Sequence, residues 1–152
     1  MPDTPIRDTD DQARELAHKL LSEARHGALA VLLDGAPFVS RVALAPDVGS
    51  LLTLISDLAP HTAALRASPD ASLMIGEPGR GDPLAHPRMT LSVKAEFIDK
   101  AAGADAYLAH QPKAKLYIGF ADFHLVRLTL QGAQLNGGFG KAYVLSPSDL
   151  TT

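Results

Sequence analysis

The dipeptide Asp34-Gly35 stands between two runs of β-forming residues, an almost wholly apolar Ala28 to Leu33 and a second run from Pro37 to Ala45. Asp-Gly accepts the positive φ values that a type I′ turn needs at both central positions, and that turn carries the twist of the strands it joins. The segment predicts a tight antiparallel hairpin. Other stretches can extend it. Leu51 to Ile55 and Ser72 to Gly76 read as short strands. Arg88 to Asp99 alternates, with Met89, Leu91, Val93, Ala95 and Phe97 on one face and Arg88, Thr90, Ser92, Lys94 and Glu96 on the other. Such alternation is the mark of a strand with one wet face. Phe120 to Leu130 is again strand-like, a turn is expected at Gln131-Gly132, and a last strand through Leu135 leads into Gly137-Gly138-Phe139-Gly140.

Helical signals punctuate the strands. Thr9 and Gln12 have capping-box spacing, and Ala13, Leu16, Ala17, Leu20, Leu21 and Ala24 follow at a helical period, so a helix is expected to end near His26 with Gly27 as its C-terminal cap. Pro60 opens a short helix through Arg66, because proline suits the first helical position. Ala101 to His110 is helix-compatible until Pro112, whereas Glu77 to Pro87, with three prolines and two glycines, reads as a loop. About six strands joined mainly by hairpins, with helices at the start and in crossovers, give an α+β fold built on an antiparallel barrel or sheet.

A length of 152 residues, with 46% apolar and 20% charged, is that of one folded domain, which buries roughly 70% of its unfolded surface. Residues 1–9 are expected to be flexible. The net charge is -3 and the 14 basic residues are scattered, so no stripe exists to track a phosphate backbone, and nucleic acid is not an expected partner. Cysteine is absent, which removes disulfides, thiolate nucleophiles and cysteine-bound metal centres; redox chemistry would need a cofactor. No apolar run approaches the ~18 residues that span a bilayer, and the amino terminus lacks a secretory pattern, so no membrane role and a cytoplasmic location are expected.

Walker, His-Glu-x-x-His and Gly-x-Ser-x-Gly motifs are missing, which leaves hydrolase mechanisms little support. Gly137-Gly138-Phe139-Gly140 lacks the βαβ context of a dinucleotide fingerprint, and its use is conformational. Five elements in order carry more: Pro37-Phe38-Val39-Ser40, then Ser56-Asp57-Leu58-Ala59-Pro60-His61-Thr62 running into Leu65, Gly76-Glu77-Pro78, Gly119-Phe120 with Asp122-Phe123, and the closing Gly137-Gly138-Phe139-Gly140. Together, from about Ala13 to Ala142, they resemble the FMN-binding split-barrel family of the pyridoxamine 5′-phosphate oxidases, and in particular the branch containing haem-utilisation proteins.

That resemblance implies a six-stranded split β-barrel with flanking short helices and a homodimer whose cofactor slot lies between subunits. Carried over by position, Ser40, Arg41, Ser56, His61 and Thr62, with Ile55 beside them, would hold the FMN phosphate, and Arg88 and Gly138 would reach in from the second chain. Two arguments from the residues agree: a helix opening at Pro60 leaves amides facing an anion, and Arg41 can add a charge-assisted contact. Equally, Arg41 can be a solvated strand residue while His61 and Thr62 only cap a helix. The oxidases place a lysine where His61 stands. Haem-utilising relatives place their ligand histidine in a carboxy-terminal extension, whereas the last histidine here is His124, two residues after Asp122 and expected on its face. A carboxylate can orient an imidazole that binds metal, which makes His124 with Asp122 the candidate haem ligand. The readings open from sequence are a flavin-dependent oxidoreductase of a small substrate, a haem-binding protein of the same fold, and a cofactor-free dimeric binding module.

Overall fold

The Asp34-Gly35 turn forms as predicted: Asp34 has φ 52° and Gly35 φ 80°, and they join strands β2 (His26–Leu33) and β3 (Ala36–Ala43), with Leu33 opposite Ala36. The computed structural model describes residues 6–151. Around this hairpin lie β1 (Ile6–Arg7), β4 (Ala45–Asp47), β5 (Ser50–Ser56), β6 (Asp70–Ile75), β7 (Arg88–Ile98), β8 (Phe123–Asn136) and β9 (Ala142–Leu145). The helices are α1 (Asp11–Glu23), α2 (Pro60–Ala67), α3 (Ala104–His110) and α4 (Pro147–Thr151). The fold is α+β, and among the described residues no helix is long and apolar enough to cross a membrane. Of the stretch 1–9 expected to be flexible, residues 1–5 lie outside the described residues, while Ile6–Arg7 pairs in parallel with β9.

The nine strands form one sheet in the order β1-β9-β8-β7-β6-β2-β3, with β5 on the free edge of β8 and β4 on β5. Strands β3, β2, β6, β7, β8 and β5 are the barrel wall anticipated from sequence; β1, β4 and β9 are short additions to it. The wall does not close. After Ala43 the chain leaves β2 and, as β4, pairs with β5, so β3 and β5 splay apart in a wedge into which α2 packs. Thr53 Oγ1 donates to the Ala43 carbonyl at 2.7 Å across the root of this wedge.

Register sorts the sheet into two faces. One row, Ser40-Leu29-Leu73-Leu91-Ala133-Leu145, runs from β3 to β9 and points into the main core, which α1 seals with Ala13, Ala17 and Leu21. The next row, Arg41-Ala28-Met74-Thr90-Gln134-Val144, points the other way. A smaller core under α3 gathers Ala45, Leu52, Leu54, Tyr107, Ala114 and Leu125.

Three local expectations are corrected. The α1 cap is Asp10, whose Oδ1 accepts from Ala13 N at 2.8 Å; Thr9 instead donates to the Val144 carbonyl. Helix α1 ends at Glu23, and Gly27 is not its cap but a residue of β2, where a Cβ would lie 2.8 Å from the Met74 carbonyl oxygen. Gln131-Gly132 does not turn the chain: Ser92 faces Gly132 and Val93 faces Leu130, so Gln131 is the extra residue of a β-bulge within the continuous β8.

Candidate functional site

The corner at α2 is a closed polar cluster. Ser40 comes inward from β3, and its Oγ meets His61 Nδ1 at 2.8 Å across the wedge. Thr62, only 2% exposed, donates from Oγ1 to the Ser56 carbonyl at 2.6 Å, and its amide donates to the Ala59 carbonyl at 3.1 Å, so that amide is not free for an anion. Ser56 Oγ accepts from Leu58 N. Burial disfavours the imidazolium of His61 and pulls its pKa down. Ile55 is buried in the core beneath this corner.

Arg41 does not join the cluster. It follows Ser40 directly, so strand alternation sends it to the outer face, in register with Ala28 and Met74. There it borders a cleft of about 550 Å³ between the end of α1, the start of β2 and the turn after β6. Leu20, Ala28, Met74 and Pro78 give the cleft an apolar lining, and Glu23, Arg25, His26, Arg41 and Glu77 supply its polar edge. His26 Nε2 contacts Glu77 Oε1 at the mouth of the cleft. Gly76 enables the approach: its φ is +119° and a Cβ there would lie 2.5 Å from the Pro87 carbonyl oxygen. Sequence reasoning passed over His26, Met74 and Glu77. The available signal was that His26, Ala28 and Ala30 share one face of β2 and leave it open.

Of the two residues assigned to a second chain, Arg88 lies farther along the same face and Gly138 in the loop after β8. Arg88 donates from Nη1 to the carbonyls of Leu84, at 3.1 Å, and His86, at 3.4 Å, beside a shallow hollow of about 220 Å³ that Thr90, Gln134 and Val144 also line. Gly138, with φ +122°, donates its amide to Asn136 Oδ1 at 3.0 Å. The carboxylate on His124 is that of Asp57, at 2.7 Å from Nε2, and not that of Asp122, which contributes only its backbone carbonyl to the Asp57 amide. His124 also stands edge-on to Phe97, whose ring carries the Arg66 guanidinium 4.0 Å from its centroid. Among the described residues no group of three or more histidine or acidic side chains could hold a bare metal ion.

No protein-family model matches the sequence. One solved structure is matched over 96% of this chain and 99% of its own, at 38% identity and a TM-score of 0.86. The structure of a heme binding protein from Mycobacterium smegmatis is 31% identical over 94% of this chain, with a TM-score of 0.86. The non-canonical heme oxygenase HOZ, chloroplastic, of Arabidopsis thaliana is 32% identical over 73% of this chain. The chain spans 61% of the Mycobacterium protein and 35% of the Arabidopsis one. At the level of fold alone, a Clostridium acetobutylicum protein related to general stress protein 26, of the pyridoxinephosphate oxidase family, matches with a TM-score of 0.74 at 12% identity over 93% of this chain and 99% of its own.

Proposed function

Since this chain belongs to the FMN-binding split-barrel family of the pyridoxamine 5′-phosphate oxidases, on the branch that contains haem-utilisation proteins, we propose that it is a homodimeric protein binding a haem-type tetrapyrrole in the cleft beside Arg41. The observation that carries the reading is the contrast in polar groups. Ser40 Oγ, His61 Nδ1, Thr62 Oγ1 and the Thr62 amide all have partners within the α2 corner, whereas the Arg41 guanidinium makes no hydrogen bond or ion pair among the described residues and borders the cleft. A tetrapyrrole asks for that combination of a flat apolar seat and a cation for its carboxylates. Ala28 is small enough to admit a ring, Leu20, Met74 and Pro78 keep water from it, and Arg41 offers its planar donors to a carboxylate. When bound, the iron centre supplies the one-electron and oxygen chemistry that these side chains lack.

A second copy of the chain completes the seat. Val39 is 63% exposed, Val144 51% and Met74 46%, all on the outer face, which no helix covers. Apolar side chains grouped on an open sheet face mark an interaction surface. The flavin reading uses the same face, with Arg41 on the phosphate and the ring on the apolar lining, and the ring itself would accept hydride.

Absorbance titrations of the wild-type chain and Arg41→Ala, with hemin and separately with FMN, test the reading. A saturable Soret band with the wild type, weakened at least several-fold in Arg41→Ala, is the expected result. Saturable FMN binding without a Soret band would establish the flavin reading instead, and a chain indifferent to both ligands would be the cofactor-free module. Light scattering should give the mass of a dimer, and Val39→Asp should halve it.

A further inference from the structure

We infer that the cleft selects tetrapyrroles whose carboxylates are gathered on one edge of the ring and turns away those that carry carboxylates on the opposite edge as well, Arg41 attracting and Glu23 and Glu77 repelling; this rests on the tetrapyrrole reading. The charges around the cleft are sorted by side. Strand β2 is its floor, where Ala28 lies in register with Arg41 of β3 on one flank and with Met74 of β6 on the other. Neighbouring strands run about 4.8 Å apart, so Arg41 and Met74 stand roughly 10 Å from each other across that floor. Glu77 lies beyond Met74 in the turn after β6, and Glu23 is the last residue of α1; both line the cleft. A cation therefore marks the β3 side, and carboxylates stand on the sides made by the turn and by the helix end.

The groups that could cancel those carboxylates do so only in part. Arg25 donates from Nη1 to the carbonyls of Ser22 and Ala24, each at 2.9 Å, which draws its guanidinium back onto the end of α1. His26 touches Glu77, but its ring is a cation only when protonated. With that ring neutral, two carboxylates face one guanidinium. Glu23 has no use in the helix either: it is exposed, makes no hydrogen bond or ion pair among the described residues, and sits at the negative end of the helix dipole with no basic residue in the last turn. A ring with its carboxylates on one edge can give that edge to Arg41 and lay its apolar edge on Leu20, Met74 and Pro78. A ring with carboxylates on both edges has to bring one toward Glu77 or Glu23 or strand it on apolar surface, whichever way it turns. Repulsion of the wrong ligand is the ordinary complement to attraction of the right one. Because the Glu77 side chain is 70% exposed, its repulsion acts through solvent and is screened by salt.

Fluorescence titration of the full chain with metal-free protoporphyrin IX and coproporphyrin III, at about pH 8 so that an ordinary imidazole is neutral, tests the inference. The second porphyrin keeps the ring and carries carboxylates where the first has its vinyl groups. The wild type should prefer protoporphyrin IX. Glu23→Gln and Glu77→Gln should each cut that preference about two- to fivefold, the range of exposed charge pairs, and the double variant should cut it further. Raising the salt from about 0.02 M to 0.5 M should shrink the wild-type preference in the same way. Any part of the preference that comes from ring size stays constant across the variants, so the change from Glu to Gln reads the charge alone. An equal preference in wild type and double variant would overturn the inference while leaving the tetrapyrrole reading intact, since protoporphyrin IX still binds. A wild type that prefers coproporphyrin III would overturn it as well. Uptake of neither porphyrin would overturn both the inference and the reading beneath it.

Discussion

Two neighbouring rows of one sheet have opposite fates. Ser40, Leu29, Leu73, Leu91, Ala133 and Leu145 face the core, and the one polar member is closed off by His61. Arg41, Ala28, Met74, Thr90, Gln134 and Val144, each one residue away along the chain, face outward, and the polar member at its edge is left open. A polar group whose hydrogen bonds are made within the fold is spent on structure; one held beside apolar surface without a partner is available to a ligand. Functional residues therefore have to be sorted by face before they are grouped by their nearness in sequence.

The sharpest way to break this comparison is to truncate adjacent residues of β6. Leu73→Ala should lower unfolding free energy by about 2 to 5 kcal/mol, because it leaves a cavity at a fully buried position. Met74→Ala should change it by roughly 0.5 kcal/mol or less in dilute protein, as for surface positions generally. Urea unfolding of both variants measures the difference, and equal losses would mean that the outer row is packed. Thr62→Val tests the closed corner next. It keeps the shape but removes one of the two donors to the Ser56 carbonyl, the Ala59 amide being the other, and a cost of about 0.5 to 1.5 kcal/mol is expected for the lost hydrogen bond.

A smaller effect should appear with pH. The folded pKa of His61 lies below its unfolded value of about 6.5, because burial penalises the charged ring. Above that unfolded value the residue is neutral in both states and stability does not depend on it. As pH falls through it, the unfolded chain takes up a proton that the folded corner resists, so stability declines until the folded pKa is passed. His61→Gln should flatten this decline in urea midpoints measured between about pH 7 and 5. An unchanged slope would place the titration in one of the other histidines and leave the corner less closed than its hydrogen bonds indicate.

Local chemistry made much of the fold legible in advance. Asp34-Gly35 fixed a hairpin, Pro60 opened a helix, and the alternation from Met89 to Phe97 laid down a strand, since each depends on residues within a few positions of one another. What escaped depends on partners distant in sequence. Gly27 reads as a helix cap until the Met74 carbonyl is seen against it, and Gln131-Gly132 reads as a turn until β7 is seen continuing past it. The strands β1, β4 and β9 are two to four residues long and exist through pairing alone. The site divided the same way. Family resemblance pointed to Ser40 and Arg41 together, while the pleat separates them. His26 and Glu77 are 51 positions apart in the chain, and only the sheet brings them together.

The finest test concerns Arg41, where little change in stability is the informative result. If Arg41 were part of the fold, as a hydrogen-bonded member of the α2 corner, its loss would leave buried acceptors without a donor and cost about 1 to 3 kcal/mol. On the outer face it borders the cleft and its guanidinium makes no hydrogen bond or ion pair within the described residues, so Arg41→Ala should shift unfolding free energy by no more than about 0.5 kcal/mol. Ser40→Ala, one residue earlier, should cost about 1 kcal/mol by releasing His61. Paired denaturation curves of these two variants read the pleat directly. A loss in Arg41→Ala that matched or exceeded that of Ser40→Ala would put both side chains in one corner and remove the guanidinium from the cleft on which the binding proposal stands.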